Sequence, residues 1–206
     1  MNVVFDLGGV VFNWQPTVLL QQVLPRQATD EAAARQLAAR LFQGFAPDAD
    51  WALFDLGQIE PGALAHRIAL RTGLAVAEVA AVISAIPPHL VPNQATVALM
   101  QDLRGAGHTL YYLSNMPAAY ADELERSHAF FDWFADGVFS ARVHQIKPNA
   151  DIFVTATQRF GVDGAHTVFI DDVLNNIEAA QRHGWYGVQF HSAEQVRAEL
   201  AQRWPS

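Results

Sequence analysis

The chain opens on a short apolar run, Val3-Val4-Phe5, which meets one carboxylate, Asp6, and then loosens into Gly8 and Gly9 before Val10-Val11. An apolar run without alternation reads as a strand covered on both faces, the condition of a parallel sheet. Asp6 then falls at the carboxyl end of that strand, the edge where open α/β sheets bind ligands. The two glycines let the chain turn sharply and bring backbone groups close to a ligand. A carboxylate in that place can be a nucleophile, a metal ligand or both. It can equally be a strand-end Asp that makes a turn.

The next stretch reads as helix without a convincing strand. Pro16 opens a helix to residue 24. Thr29 caps an Ala-rich helix over 30–42, acids first and arginines later, which Gly44 stops. Residues 51–56 form a short helix or turn ended by Gly57. A helix over 59–71 precedes Gly73, and another over 76–86 ends at Pro87-Pro88. The pattern changes after Pro92. Asn93 caps a helix to residue 104, ended by Gly105 and Gly107. Thr109-Leu110-Tyr111-Tyr112-Leu113 is a strand followed by Ser114-Asn115. Pro117 opens a helix to about residue 127, and 137–140 is a short strand. A helix over 149–160 leads to the strand Thr167-Val168-Phe169-Ile170, which ends on Asp171-Asp172. A helix over 174–183 ends at Gly184, and a strand over 186–190 and a helix over 193–203 complete the chain. Strands alternating with helices imply an α/β fold with a doubly wound parallel sheet. The expected layout is a core of residues 1–15 and 92–206 with an all-helical insert at 16–91.

Composition narrows the function. Of 206 residues, 51% are hydrophobic and 17% charged, as in a globular chain with a sizeable core. A net charge of −8 argues against nucleic acid as a partner, though a local site can still be positive. The chain has no cysteine, which removes disulfides, thiolate metal sites and a cysteine nucleophile. The start lacks a basic leader segment and no apolar run is long enough to span a bilayer, so the expected location is cytoplasmic, with no membrane partner. The eight histidines show no zinc-like spacing. Nothing in the pattern gives an oligomeric state.

Three strands end on polar residues: Asp6, Ser114-Asn115 and Asp171-Asp172. A parallel sheet brings such ends to one edge. A fourth polar piece, His144-Gln145-Ile146-Lys147-Pro148, precedes a helix. Alone, each piece is a turn, a cap or a solvated helix start; four in this order are harder to attribute to chance.

On these residues the chain resembles the haloacid dehalogenase-like superfamily. The matching stretches are Phe5-Asp6-Leu7-Gly8-Gly9-Val10, Leu113-Ser114-Asn115, Lys147-Pro148-Asn149-Ala150-Asp151-Ile152-Phe153, and Val168-Phe169-Ile170-Asp171-Asp172 with Asn176-Ile177-Glu178-Ala179-Ala180. The helical insert lies where that family carries its cap. Within the family the chain looks like bacterial sugar-phosphate phosphatases of the glucose-1-phosphate type. The resemblance implies a Mg²⁺-dependent hydrolase of phosphomonoesters that acts on a small phosphorylated metabolite such as glucose 1-phosphate. It makes Asp6 the nucleophile that forms an aspartyl-phosphate. Asp6, the Gly8 carbonyl and Asp172 become the Mg²⁺ ligands, supported by Asp171 and Asn176. Ser114, Asn115 and Lys147 become the phosphate-binding groups.

The sequence departs from the family at Gly8, where the usual phosphatase carries a second Asp as general acid and base. Asp55, His66 and His144 are the candidates to replace it, in no evident order. Two rivals remain. One is a 2-haloacid dehalogenase, in which Asp6 attacks carbon without metal. The other is a non-catalytic phosphate-binding or interaction protein, which Gly8 favours. Trp14, Trp51, Trp133 and Trp185 read as packing residues, Trp14 alone being near enough to the catalytic loop to touch substrate.

Overall fold

Five strands make one parallel sheet in the order β3-β2-β1-β4-β5: β1 (Asn2–Phe5), β2 (Thr109–Ser114), β3 (Phe134–Phe139), β4 (Thr167–Asp171) and β5 (Tyr186–Gln189). The computed structural model describes residues 1–45 and 49–203; residues 46–48 of the expected insert and 204–206 of the expected core lie outside them. Side chains alternate across the strands. Val3 and Phe5 pack in one apolar cluster with Leu110, Tyr112, Val168 and Ile170. Val4 packs in a second cluster with Tyr111, Leu113 and Phe169. Both faces are therefore dry, and this is why the strands read as continuous apolar runs.

The chain between β1 and β2 is helical among the described residues: α1 (Pro16–Val23), α2 (Glu31–Phe42), α3 (Asp50–Asp55), α4 (Pro61–Thr72), α5 (Val76–His89) and α6 (Gln94–Gly105). Beyond β2 come α7 (Ala118–Ser127), α8 (Ser140–Val143), α9 (Ala150–Phe160), α10 (Leu174–His183) and α11 (Ala193–Arg203). Ile152, Phe153 and Phe160 of α9 and Ile177 of α10 cover one face of the sheet. Leu99 and Met100 of α6 and Val196 and Leu200 of α11 cover the other. The expected doubly wound sheet with an inserted helical cap is the observed architecture.

The two crossings between core and cap run side by side. Asn13 N–H donates to the Val91 carbonyl at 2.9 Å, and Asn93 N–H to Val11 at 2.8 Å. The cap also docks on the core at a second place. The Ser140 hydroxyl donates to the Asp55 carbonyl at 2.5 Å, and His144 Nδ1 lies 2.9 Å from the Leu56 carbonyl.

Several element ends differ from the sequence reading. Asp30, not Thr29, caps α2, with Oδ1 accepting from Ala33 N–H at 2.8 Å. Gly44 is not the stop of α2; Gln43 is its cap, in the left-handed region at φ 49°. Pro87 and Pro88 do not end α5 but lie inside its last turn. A proline removes the donor that the carbonyl four residues back needs. For Pro87 that carbonyl is Ile83, which accepts instead from the Tyr120 hydroxyl at 2.6 Å. Gly105 lies within α6 rather than after it. β3 starts three residues before the expected 137 because it is an edge strand whose Asp136 faces Arg159, bonded at 2.7 and 2.9 Å. Polar edge residues hide a strand from an apolar-run reading. Ser140 leaves the strand and opens α8, a helix the sequence reading does not contain.

Candidate active site

The carboxyl ends of β1, β2 and β4 carry the polar residues, as parallel strands must deliver them. Asp6 follows β1, and its N–H still donates to Ile170 of β4 at 2.8 Å, so the exit from the strand is fixed. The next residues fold back tightly. Leu7 carbonyl accepts from the N–H groups of Val11 and Phe12 at 2.9 and 2.8 Å, and Gly9 N–H donates to Phe12 at 2.8 Å. None of these loop hydrogen bonds ends on the Gly8 carbonyl. Gly9 has φ +78°, and a Cβ there would stand 2.4 Å from Asp172 Oδ2. Only glycine lets the loop pass this close to the carboxylate. Gly8 is different: a Cβ there would meet nothing within 4 Å.

Lys147 is the hub, with its side chain 1% exposed. Its Nζ lies 2.9 Å from Asp6 Oδ1 and 2.6 Å from Asp171 Oδ2. The Asn115 side chain fixes its backbone: Lys147 N–H donates to Asn115 Oδ1 at 2.8 Å, and Asn115 Nδ2 donates to the Lys147 carbonyl at 3.0 Å. Asp171 is fully buried and saturated. Oδ1 accepts from Val173 N–H at 2.8 Å and Asn176 Nδ2 at 3.1 Å; Oδ2 accepts from Lys147 and again from Asn176, at 3.0 Å. Ser114, at the end of β2, is 1% exposed. Its hydroxyl has no hydrogen-bond partner among the described residues.

Charge in the site is unbalanced. Burial pushes Asp6 up to about 7, helped by the charges of Asp171 and Asp172 and opposed by Lys147. Asp172 is exposed by surface area yet crowded by protein; that desolvation, then the Asp171 charge, raise it to about 6 against the pull of Lys147. Burial alone would lower Lys147, but Asp171 and Asp6 outweigh it and hold the ammonium above the ordinary lysine value. Three carboxylates thus share one cation, and Asp6, Asp171 and Asp172 each bring an oxygen within 4.8 Å of the others. Because hydrogen bonds occupy both oxygens of Asp171, the carboxylate oxygens of this cluster left for a metal are those of Asp6 and Asp172. An all-oxygen, anionic donor set suits a hard divalent cation such as Mg²⁺.

The three candidates for a replacement acid separate clearly. His66 is exposed on α4, with Nδ1 2.8 Å from the Gly62 carbonyl of its own helix. His144 is exposed and spends Nδ1 on Leu56. Asp55 is buried, and burial, then the Asp6 charge, push it up to about 8, with Lys147 opposing. Trp14 packs edge-on against Phe42 of the cap, ring centroids 5.5 Å apart. Sequence reasoning missed the Asn115 amide as the brace of Lys147 and Ser140 as a clamp on the cap. A Ser-Asn pair after a strand gives no signal beyond a turn, and a lone serine gives none at all.

A family model described as a haloacid dehalogenase-like hydrolase matches residues 1–184. A sesquiterpene phosphatase from Aspergillus oryzae is 29% identical over 200 residues, covering 97% of this chain and 94% of that protein. A haloacid dehalogenase-family enzyme from Bacteroides thetaiotaomicron, solved in complex with magnesium and inorganic phosphate, superposes with a TM-score of 0.70 at 22% identity, covering 93% of this chain and 94% of that one. The L-2-haloacid dehalogenase from Xanthobacter autotrophicus gives a TM-score of 0.70 at 18% identity, over 100% of this chain and 84% of that one. At such identities the two structures show a shared fold.

Two predictions follow from the acid pair and its charge. Asp171→Ala takes from the buried Lys147 the nearer of its two carboxylates and leaves Asn176 Nδ2 and Val173 N–H without their acceptor, so it should cost about 3–5 kcal/mol of stability in denaturant melts. Asp172→Ala should cost little, and should instead abolish the rise in melting temperature that Mg²⁺ gives; the reverse ranking would reverse their roles. The second concerns pH. Asp6 and Asp172 hold protons in the fold that the unfolded chain has already released. Without metal, their contribution therefore falls as pH climbs from about 4 through about 7. Mg²⁺ binds the ionised pair, so its stabilisation should be small near pH 5 and large near pH 8 in thermal melts against chelator. Equal shifts at both values would contradict this charge balance.

Proposed function

Because the chain belongs to the haloacid dehalogenase-like hydrolase family, we propose that it is a Mg²⁺-dependent phosphatase that hydrolyses phosphomonoesters of small metabolites through an aspartyl-phosphate on Asp6. The observation that carries this reading is the Lys147 ammonium held between Asp6 and Asp171, with Asp172 in the same cluster of carboxylates.

Each group then has a task. Lys147 holds the Asp6 carboxylate in one orientation and offers positive charge to the phosphate. Ser114 donates its hydroxyl to a phosphate oxygen, and the Asn115 N–H assists, while the Asn115 side chain keeps Lys147 in place. Asp6 attacks phosphorus, and water later releases phosphate from it. Asp6, Asp172 and the Gly8 carbonyl would hold Mg²⁺, with Asp171 and Asn176 as supports. Bound there, the cation offsets the carboxylate charge and polarises the phosphate oxygens.

The two rivals fit less well. Without a metal, an α-halo carboxylate would meet the carboxylates of Asp6, Asp171 and Asp172 with Lys147 as the one cation among them, a balance that repels a further negative charge. A passive phosphate binder has no use for a carboxylate fixed against an ammonium.

The resemblance supports a sugar phosphate such as glucose 1-phosphate. A second reading, the phosphate ester of an apolar alcohol, has its own support. Val173 and Leu174, just after Asp172, are 46% and 50% exposed. Trp14, half-buried after the catalytic loop, begins an edge-to-face series through Phe42, Trp51 and Phe54 in the cap. The relative from Aspergillus oryzae is named for a sesquiterpene substrate.

Phosphate release from glucose 1-phosphate, glucose 6-phosphate and a prenyl phosphate, with Mg²⁺, decides between the two. The Asp6→Asn protein should lose several orders of magnitude in turnover on whichever ester is preferred. Near-normal turnover in that variant would overturn the mechanism, and metal-free halide release from a 2-haloacid would install the dehalogenase instead.

A further inference from the structure

We propose that Asp55 is the general acid and base of the reaction proposed above, acting from the cap in the place that Gly8 leaves empty. The inference rests on that phosphatase reading and adds the group that moves the proton.

A phosphate ester of an alkyl alcohol must release a poor leaving group, which needs a proton as its bond to phosphorus breaks. Glycine at position 8 cannot give one. Asp55 ends α3 and is 6% exposed. Its carboxyl has no hydrogen-bond donor among the described residues. The carboxyl is thus unpartnered without being sealed in the core, and it lies within the electrostatic reach of Asp6 and Lys147; a buried acid so placed is a functional candidate.

The fold fixes where Asp55 stands. The Ser140 hydroxyl donates to its carbonyl and in turn accepts from Met116 N–H at 2.8 Å. Met116 lies two residues beyond Ser114, so a single serine ties Asp55 to the loop that carries the phosphate-binding hydroxyl. The next two residues are held as firmly. Leu56 carbonyl is bound to His144. Gly57 has φ +66°, and a Cβ there would stand 2.9 Å from the Ala141 carbonyl, so the cap meets the core backbone directly. Three consecutive cap residues are thus pinned to the chain that leaves β3.

Three titratable groups face Asp55: Asp6 after β1, Lys147 before α9 and Tyr120 on α7, whose own hydroxyl is pushed up by burial and by Asp55. Burial, then the Asp6 charge, raise the Asp55 carboxyl to about 8, against Lys147. It starts the cycle as an acid.

The protons balance over two steps. In the first, an Asp6 oxygen bonds to phosphorus, the bond from phosphorus to the alcohol oxygen breaks, and that oxygen takes the Asp55 proton. The alcohol leaves and Asp55 is a carboxylate. In the second, a water oxygen bonds to phosphorus while Asp55 takes its proton. The bond from phosphorus to Asp6 breaks, inorganic phosphate leaves, and both aspartates return to their starting states.

The test compares an alkyl phosphate with 4-nitrophenyl phosphate, whose leaving group needs no proton. Asp55→Asn keeps the shape and removes the transfer. Its kcat for release of the alcohol should fall by about 10²–10⁴-fold on the alkyl ester. Formation of the Asp6 adduct from the aryl ester, followed as a nitrophenol burst, should change far less, and the adduct should accumulate because water then lacks its base. Gly8→Asp is sterically open, since its Cβ meets nothing within 4 Å. Added to Asp55→Asn, it should restore alkyl turnover. Asp55→Ala, read the same way, serves if the asparagine variant does not fold. Unchanged alkyl turnover in a folded Asp55 variant overturns the assignment, and so does an equal loss in alkyl turnover and aryl burst. A parent protein that releases phosphate from neither ester and labels no Asp6 overturns the phosphatase reading instead, so the two failures are distinct.

Discussion

One buried ammonium organises this protein's polar centre. Lys147 arrives from the loop before α9 and meets Asp6 from β1 and Asp171 from β4, at 2.9 and 2.6 Å. An isolated charge in that position would be intolerable, and a pair would only break even against its desolvation. The surrounding contacts make it workable. Asn115 braces the Lys147 peptide on both sides, Asn176 and Val173 fill the remaining valences of Asp171, and only Asp6 keeps an oxygen for other work. The catalytic loop depends on the same arrangement, because Gly9 must pass beneath Asp172 without a side chain. Residues from three strands and one loop are therefore mutually constrained, and no one of them can shift without unpairing another.

Much of this was legible in the sequence because of how a parallel sheet works. Strands dry on both faces appear as apolar runs, and each polar residue that ends such a run falls on the ligand-binding edge. Asp6, Ser114 and Asp171-Asp172 could be assembled on that rule alone; Lys147 stood out only as part of a polar loop before a helix, and the resemblance supplied its expected role. The errors fall where a neighbour distant in sequence decides. Pro87 sits inside α5 because Tyr120 satisfies Ile83. β3 starts early because Arg159 neutralises Asp136. The expected division of labour between Asp171 and Asp172 came from alignment to the resemblance. The contacts that fill both oxygens of Asp171 agree with it and have no trace in an Asp-Asp dipeptide.

The cap shows the same limit from the other side. Helix-forming patterns disclosed its helices, but nothing in Phe54-Asp55-Leu56-Gly57 says which way Asp55 faces. The role proposed for it rests on Ser140, 85 residues away, and on the charges of Asp6 and Lys147. His66 and His144 were equal candidates by residue type, and histidine is the more usual proton carrier near neutral pH. Placement reverses that order: one histidine bonds within its own helix, and the other anchors the residue beside Asp55.

An acid on the cap differs in kind from an acid two residues after the nucleophile. A residue at position 8 is always present, because it belongs to the same loop as Asp6. In the proposed role Asp55 would be in place only with the cap docked, since Ser140 and His144 hold residues 55 and 56 against the core. Proton transfer, to the leaving alcohol and from the attacking water alike, would then be tied to the docked state of the cap. The crossings at residues 11–13 and 91–93 lie side by side, so the cap joins the core at one edge and docks at another. Opening about the first would withdraw Asp55 while leaving Asp6, Lys147 and Asp171 intact in the core. On this arrangement the sheet edge holds the phosphate and the nucleophile, and the helical insert decides when the leaving group can receive its proton.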